Sequence, residues 1–400
     1  MRRPLAGFFM LADLDVLLAA RGIDAAVVPM HEAVHPSFRW LTRGAKVTRG
    51  YAVKMRGGAS VLVAYPMERD EAAATGLATH SVHDFDHERI FRGAPDAISG
   101  YAEFYDGMLR ALGCGPSIAF FGNLPVHLYL GIADALDDRG WRVHRGGEDL
   151  IQLARKRKEP WEIEAIASVG ERTEQVVDEV RRALREDGDA LTLGDLNAIV
   201  SREIHRRGML EDHETILSQG RDAGVPHSRG DASARVRPSV PIVLDIFPVD
   251  RQTGYFFDLT RTFCIGPIPD ELRRIHADVE AAFHLAAGTM RAGAPASSYQ
   301  AMVCDFFEQR GYPTIRSSPT TTEGYVHSLG HGVGLDIHEK PAFSLGAMNT
   351  DVIETGDVVT IEPGLYFPER EIGVRIEDTF VVGEDGRVRT LCRGGYGLAP

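Results

Sequence analysis

Apolar positions along the 400-residue chain recur with two periods, and the period changes part-way along it. In LADLDVLLAARG (11–22) they return every three or four residues and stop at Gly22, which predicts an amphipathic helix. DAAVVPM (24–30), ASVLVAYP (59–66) and PSIAFFG (116–122) are short unbroken apolar runs, the signature of buried strands. DALDDRGWRV (134–143) reads as a helix end leading into an edge strand. This alternation predicts an α/β domain over 1–155, without a phosphate loop or a GxGxxG turn. The pattern breaks in LARKRKEPWEIEAI (153–166), where a basic cluster meets Pro160. Beyond it, Ile163, Ile166, Val169, Val176, Val177 and Val180 mark a long helix over 161–186, and LGDLNAIVSREIHRRG (193–208) marks a second. Short β-like runs follow from about 215, with helices near 270–291 and 297–311.

Two of those β-like stretches carry acids in apolar surroundings. VPIVLDIFPVDRQTGYFFDLTRTFCIG (240–266) has two strand-like arms around DRQTG. A hairpin centred between Arg251 and Gln252 sets Asp245 directly opposite Asp258, with Cβ atoms about 5 Å apart. Two such carboxylates require a shared proton or a cation between them. VVTIEPGLYFPEREIGVRIEDTFVV (358–382) has the same form, with its turn at FPEREIG. Its Glu362 and Glu377 are separated by an odd number of positions and can share one face, and Arg375 lies on the face of Glu377.

A third stretch, HSLGHGVGLDIHE (327–339), holds three histidines. His327 and His331 are four apart, as in a zinc-binding helix, but Gly330, Gly332 and Gly334 intervene, each costing a helix roughly 1 kcal/mol relative to alanine. Position 328 is Ser where that motif has Glu. A ligand here is therefore expected on a strand or loop. With His331, the four acids form the set Asp245, Asp258, His331, Glu362 and Glu377. It is too large and too oxygen-rich for one tetrahedral zinc, and suits a pair of divalent ions roughly 3.5–4 Å apart with a bridging water. Hard oxygen donors favour Mn²⁺, with Co²⁺, Zn²⁺ or Fe²⁺ also compatible.

Composition narrows the setting. Hydrophobic residues make up 44% of the chain and charged residues 25%, as in soluble globular proteins. The net charge of −13 argues against nucleic acid or an anionic membrane as the main partner. Cys114, Cys264, Cys304 and Cys392 form no CxxC pair, consistent with a reducing compartment, and the cytoplasm is the expected location. Arg2 and Arg3 precede an apolar run that Asp13 and Asp15 interrupt, so a signal peptide is not expected. No apolar stretch is long enough to span a membrane. His31, His35, His80, His83 and His87 read as surface or packing residues, and Cys264 as a small buried hydrophobe.

VLDIFPV…GYFFDLTRTF, HSLGHGVGLDIHE, TIEPGLY and VRIED together resemble the metal motifs of the pita-bread metallopeptidases, which include prolidase, aminopeptidase P, methionine aminopeptidase and the metal-free relative creatinase. The resemblance covers about 160–400 and fills all five ligand positions. It implies an α+β pita-bread catalytic domain over 156–400, and more weakly a prolidase-like α/β accessory domain over 1–155. It implies that Asp245 chelates one metal, His331 and Glu362 the other, and that Asp258 and Glu377 bridge. Glu362 would also manage the proton of the attacking water. His227, His327 and His338 match histidines that face substrate, His227 and His338 stabilising the intermediate, and Arg375 matches an arginine near a substrate carboxylate. Tyr255, Arg261 and Tyr366 are expected as scaffold. The implied activity is that of an exopeptidase on short peptides, foremost an Xaa-Pro dipeptidase, with a metal-bridging hydroxide as nucleophile and a homodimeric assembly. An aminopeptidase P, a carboxypeptidase-like variant, a metal-free hydrolase and a non-catalytic peptide-binding protein are the alternatives. Phe247 and Pro248 depart from the family pattern, with a two-residue longer spacing between the aspartates that preserves their parity, and they bear on proline specificity.

Overall fold

The computed structural model describes residues 8–31 and 35–400; Arg2 and Arg3 lie outside them. The chain divides into two compact units, Met1–Arg155 and Lys156–Pro400. Among the described residues no helix is long and apolar enough to cross a membrane.

The first unit is built on a six-stranded mixed sheet of β1 (Ala25–His31), β2 (Arg49–Met55), β3 (Ser60–Ala64), β4 (Ala78–Ser81), β5 (Ser117–Phe120) and β6 (Arg142–His144), in the order β4-β3-β2-β1-β5-β6. β1 is buried on both faces, which explains its unbroken apolar run. Ala26, Val28 and Met30 pack with Leu14 and Leu18 of the helix Phe8–Ala20. Ala25 and Val27 pack with Phe104, Met108, Ile132 and Leu136 of the helices Ala97–Ala111 and Val126–Asp137. The predicted helices and strands appear within a few residues, with β6 at the sheet edge. β2 and β4 were not apparent in the pattern. β4 is half-exposed at the other edge, and β2 buries Lys54 as the partner of Asp15.

In the second unit, Pro160 occupies the first turn of a helix running to Glu186, where its missing N–H costs nothing, and Glu159 and Glu162 close a capping box. A second helix, Leu193–Arg206, is capped in the same way by Thr192 and Asp195. Its strands are β7 (Met209–Leu210), β8 (Ile216–Gln219), β9 (Ile242–Ile246), β10 (Val249–Asp250), β11 (Leu259–Phe263), β12 (Val358–Ile361), β13 (Gly364–Phe367), β14 (Ile372–Arg375), β15 (Asp378–Val382) and β16 (Val388–Thr390). They pair as β11-β9-β8, β10-β7, β12-β15-β16 and β13-β14. The helices Asp270–Thr289 and Ala296–Glu308 share an apolar core with Val359, Ile361, Val374, Ile376 and Phe380. Because side chains alternate along a strand, Thr360, Glu362, Arg375 and Glu377 project from the other face.

Candidate active site

β9 and β11 form the expected hairpin in a different register. Thr260 pairs with Asp245 and Leu259 with Ile246, so Phe247, not Asp245, falls opposite Asp258. The turn sits one residue later than predicted because the Asp250 carboxylate accepts the amides of Gln252 and Thr253 at 2.8 and 2.7 Å. A slip of two on the partner strand keeps parity, so both aspartates still share a face, diagonally rather than directly opposed.

The second hairpin keeps one register throughout. Ile361 pairs with Asp378 and Gly364 with Arg375, which sets Glu362 opposite Glu377. A bridge between Thr260 and Glu377 joins the two hairpins. The Thr260 hydroxyl donates to Glu377 Oε2 at 2.6 Å.

The histidine stretch is not helical; it runs extended beside β12. The Glu362 amide donates to Leu329 O, Thr360 N to His331 O and Val333 N to Val358 O, at 2.8 to 2.9 Å. Its glycines serve this packing. A Cβ on Gly330 would stand 2.2 Å from Thr360 O, and one on Gly332 2.1 Å from Lys340 O. They meet protein backbone rather than substrate.

These elements bring His331 Nε2 within 3.5 Å of Asp258 Oδ2 and 3.6 Å of Glu362 Oε1. Asp258, His331 and Glu377 each offer one ligand atom, all within 4.8 Å of one another. His331 Nδ1 donates to Gly332 O, so the neutral ring presents the Nε2 lone pair to the acids. Burial, reinforced by His338, holds its pKa down at about 3. Asp245 meets Arg375 Nη2 at 2.5 Å.

The acids are poorly compensated. Burial pushes Asp258 and Glu377 well above the usual carboxylate range, and the negative charge of neighbouring acids adds to it. Burial lifts Glu362 to about 8, although Arg375 pulls the other way. Asp258 Oδ1 and Glu377 Oε1 are buried without a hydrogen-bond partner. Buried charge of this kind is stable only when protonated, paired or ligating a metal. Two carboxylates that each leave an oxygen unpartnered, clustered with a neutral imidazole nitrogen, fit a divalent cation.

All nine predicted residues line one cavity of about 440 Å³: Asp245, Asp258, His331, Glu362 and Glu377 together with His227, His327, His338 and Arg375. His338 stands edge-on to His331, ring centroids 4.4 Å apart. His327 is already committed at both nitrogens. Nδ1 donates to Ser328 O, and Nε2 accepts from the Tyr366 hydroxyl at 2.9 Å. Arg375 donates to Asp245, Thr260 Oγ1, Tyr366 and Pro226 O.

Tyr255 and Arg261 are scaffold, on Glu162 and on Asp378 respectively. Cys264 is buried, as expected. Tyr366 lies closer to the chemistry than expected, since its hydroxyl joins His327 to Arg375. Thr260 was missed; its place two residues after Asp258, on the same strand face, was the available signal.

The description of metallopeptidase family M24 matches residues 164–384, more than half of the chain. A probable dipeptidase, PepE, of Mycobacterium tuberculosis is 31% identical over 240 residues, 60% of each chain. The Xaa-Pro dipeptidase of Pyrococcus furiosus is 34% identical over 177 residues, 44% of this chain and 46% of that one. The matches thus span about half to 60% of the length of these curated relatives. Among solved structures, the Xaa-Pro dipeptidase from Bacillus anthracis superposes with a TM-score of 0.79 at 20% identity, covering 97% of this chain and 98% of that one. At that identity the likeness carries the fold: a pita-bread unit preceded by an N-terminal unit.

Proposed function

The chain belongs to metallopeptidase family M24, and from that premise we propose that it is a dinuclear metal-dependent exopeptidase of short peptides, foremost an Xaa-Pro dipeptidase. The observation that carries this reading is the cluster of Asp258, His331 and Glu377, in which Asp258 Oδ1 and Glu377 Oε1 are buried without partners and one ligand atom from each residue lies within 4.8 Å of the others. Asp245 is assigned to one metal, His331 and Glu362 to the other, and Asp258 and Glu377 to both. The predominance of carboxylate donors favours Mn²⁺.

When bound, the ions supply an activated water and polarise the scissile carbonyl. Glu362, on the wall of the same cavity, would take a proton from the attacking water and pass it to the leaving amine. His338 and His227, on the cavity wall, donate to the oxygen on which charge develops. Thr260 fixes the rotamer of Glu377, and His331 offers Nε2 because Nδ1 is tied to Gly332 O. His327 and Arg375 bound the substrate side, Arg375 toward a substrate carboxylate. Phe247 and Phe343 contribute apolar wall against which a prolyl ring packs.

The N-terminal unit is assigned as an accessory domain and the assembly as a homodimer, both by resemblance to prolidases. Four free cysteines fit a cytoplasmic setting.

The test is a panel of Xaa-Pro dipeptides, Xaa-Pro-Yaa tripeptides and N-blocked peptides with Mn²⁺-loaded protein. Turnover of dipeptides supports the reading, and turnover restricted to tripeptides with a free N-terminus makes the protein an aminopeptidase P. Cleavage of blocked peptides from the C-terminus overturns the dipeptidase assignment. Absence of bound metal together with absence of turnover overturns the enzyme reading altogether.

A further inference from the structure

One buried ion pair touches the active-site loop without belonging to the acid cluster. Lys158 Nζ meets Glu339 Oε2 at 2.7 Å, with both side chains 1% exposed. Lys158 lies in the basic stretch before the helix Pro160–Glu186, where its ammonium also donates to Lys156 O and its amide to Gly356 O. Glu339 directly follows His338. Its Oε1 accepts the Asp336 amide at 2.9 Å, so the carboxylate folds back inside the loop that carries His338. The backbone closes that loop: Glu339 N donates to Gly332 O and Gly332 N to Glu339 O, at 2.8 and 3.0 Å. His331 precedes Gly332 as His338 precedes Glu339, so this closure makes the two rings neighbours. The sequence has made room for it. A Cβ on Gly334 would stand 2.6 Å from both carboxylate oxygens of Glu339.

We propose that the Lys158–Glu339 ion pair is a positioning device for the active site, clamping the Gly332–Glu339 loop so that His338 is held against His331 and aimed into the cavity. Neither residue lines the cavity, so both act through the loop. A buried pair of this kind adds little net stability compared with apolar residues of the same size, but it defines one geometry. The Asp336 amide donates to one oxygen of the carboxylate and Lys158 to the other. A glutamine has a single acceptor oxygen and must leave one of them facing an NH₂ group. The kinetic consequence rests on the catalytic role proposed for His338, whereas the geometric one does not.

The test uses the metal-loaded full chain. Glu339→Gln is expected to lower kcat about tenfold or more, to change KM less than threefold, and to leave metal content unchanged. In the His338→Ala background the same substitution is expected to cost nothing further, because its effect passes through His338. Gly334→Ala, which displaces the same carboxylate, should reproduce the kinetic pattern. Nitrogen-15 spectra of the histidine rings should show His338 shifted in Glu339→Gln while His227, on a different loop, stays in place. Should Glu339→Gln not accumulate folded, Lys158→Met/Glu339→Gln removes both charges and takes the same measurements. An equal loss in the His338→Ala background, or unmoved His338 resonances, overturns the proposal. A wild-type protein without turnover overturns the proposed activity instead, and the ring spectra then decide the positioning claim alone.

Discussion

Asp378 and Glu339 are buried against cations that the chain itself supplies, Arg261 and Lys158, each at 2.7 Å. Asp258, Glu362 and Glu377, in the same unit, are buried around a single guanidinium, Arg375, whose shortest contact is to Asp245. Tyr396 adds a second donor to Asp378, whereas Asp258 Oδ1 and Glu377 Oε1 have none. The two groups of acids are chemically alike, and all but Glu362, whose side chain is 16% exposed, are almost fully buried. What separates them is charge balance: the first group completes its pairing on folding, and the second still lacks positive charge once the fold is formed. Losing a partner in the first group therefore costs stability, while losing a charge in the second relieves the apo fold and removes function.

The widest separation is expected for Glu362→Gln. Turnover should fall by about 10³-fold or more, the scale associated with a general base, while the thermal midpoint of the apo protein stays level or rises. Retained turnover would contradict the role given to Glu362. Next, Asp378→Asn should cost about 3–5 kcal/mol in denaturant unfolding, because Arg261 is left buried without its counter-ion. Asp258→Asn should leave apo stability unchanged or higher while abolishing tight Mn²⁺ binding by calorimetry. Equal destabilisation by the two asparagine substitutions would erase the distinction.

A smaller effect lies in pH dependence. In the folded apo protein Glu362 has its pKa raised from 4.5 to about 8, and Asp258 and Glu377 are raised as well. Above about pH 6.5 the folded state binds more protons than the unfolded one, so stability falls as pH rises toward 8. Below that, His327 and His331, held down at about 3 by burial, oppose the slope. Apo protein should melt several degrees lower near pH 8 than near pH 6.5. Bound metal requires the ionised acids, which reverses the slope. A flat apo profile would show that the acids are already compensated.

The smallest effect is expected at the cavity wall. Phe247→Ala should change the ratio of kcat/KM between bulky and small Xaa-Pro substrates by about tenfold or less, the scale of a hydrophobic contact. It should leave metal content untouched, because Phe247 carries no ligand atom. Loss of metal would place Phe247 in the support of Asp258 rather than in the substrate wall.

Much of the second unit was legible before folding. Pro160 marked a helix start because proline is tolerated in the first turn. The odd separations of Asp245 from Asp258 and of Glu362 from Glu377 limited each pair to one strand face. The glycines of HSLGHGVGLDIHE ruled out a helix, though the packing against Thr360 and Lys340 that requires them was not visible. The register of the first hairpin was misjudged by two positions because Asp250 caps the turn, a side-chain choice that hydrophobic alternation does not record. β2 and β4 were missed for a related reason, since one buries a lysine and the other lies half-exposed at an edge.

By itself the sequence determined residue type and parity. It placed four carboxylates and one imidazole on strand-like segments, with spacings that turn each acidic pair to a single face. These properties are local, set by side-chain alternation along an extended backbone and by the exclusion of glycine-rich segments from helices. Only the tertiary structure decided which faces meet. The Thr260–Glu377 bridge joins the two hairpins, the histidine stretch lies along β12, and Lys158 reaches Glu339 from 181 residues away. Those choices rest on hydrogen bonds and on charge burial between segments far apart in the chain, and no local period encodes them.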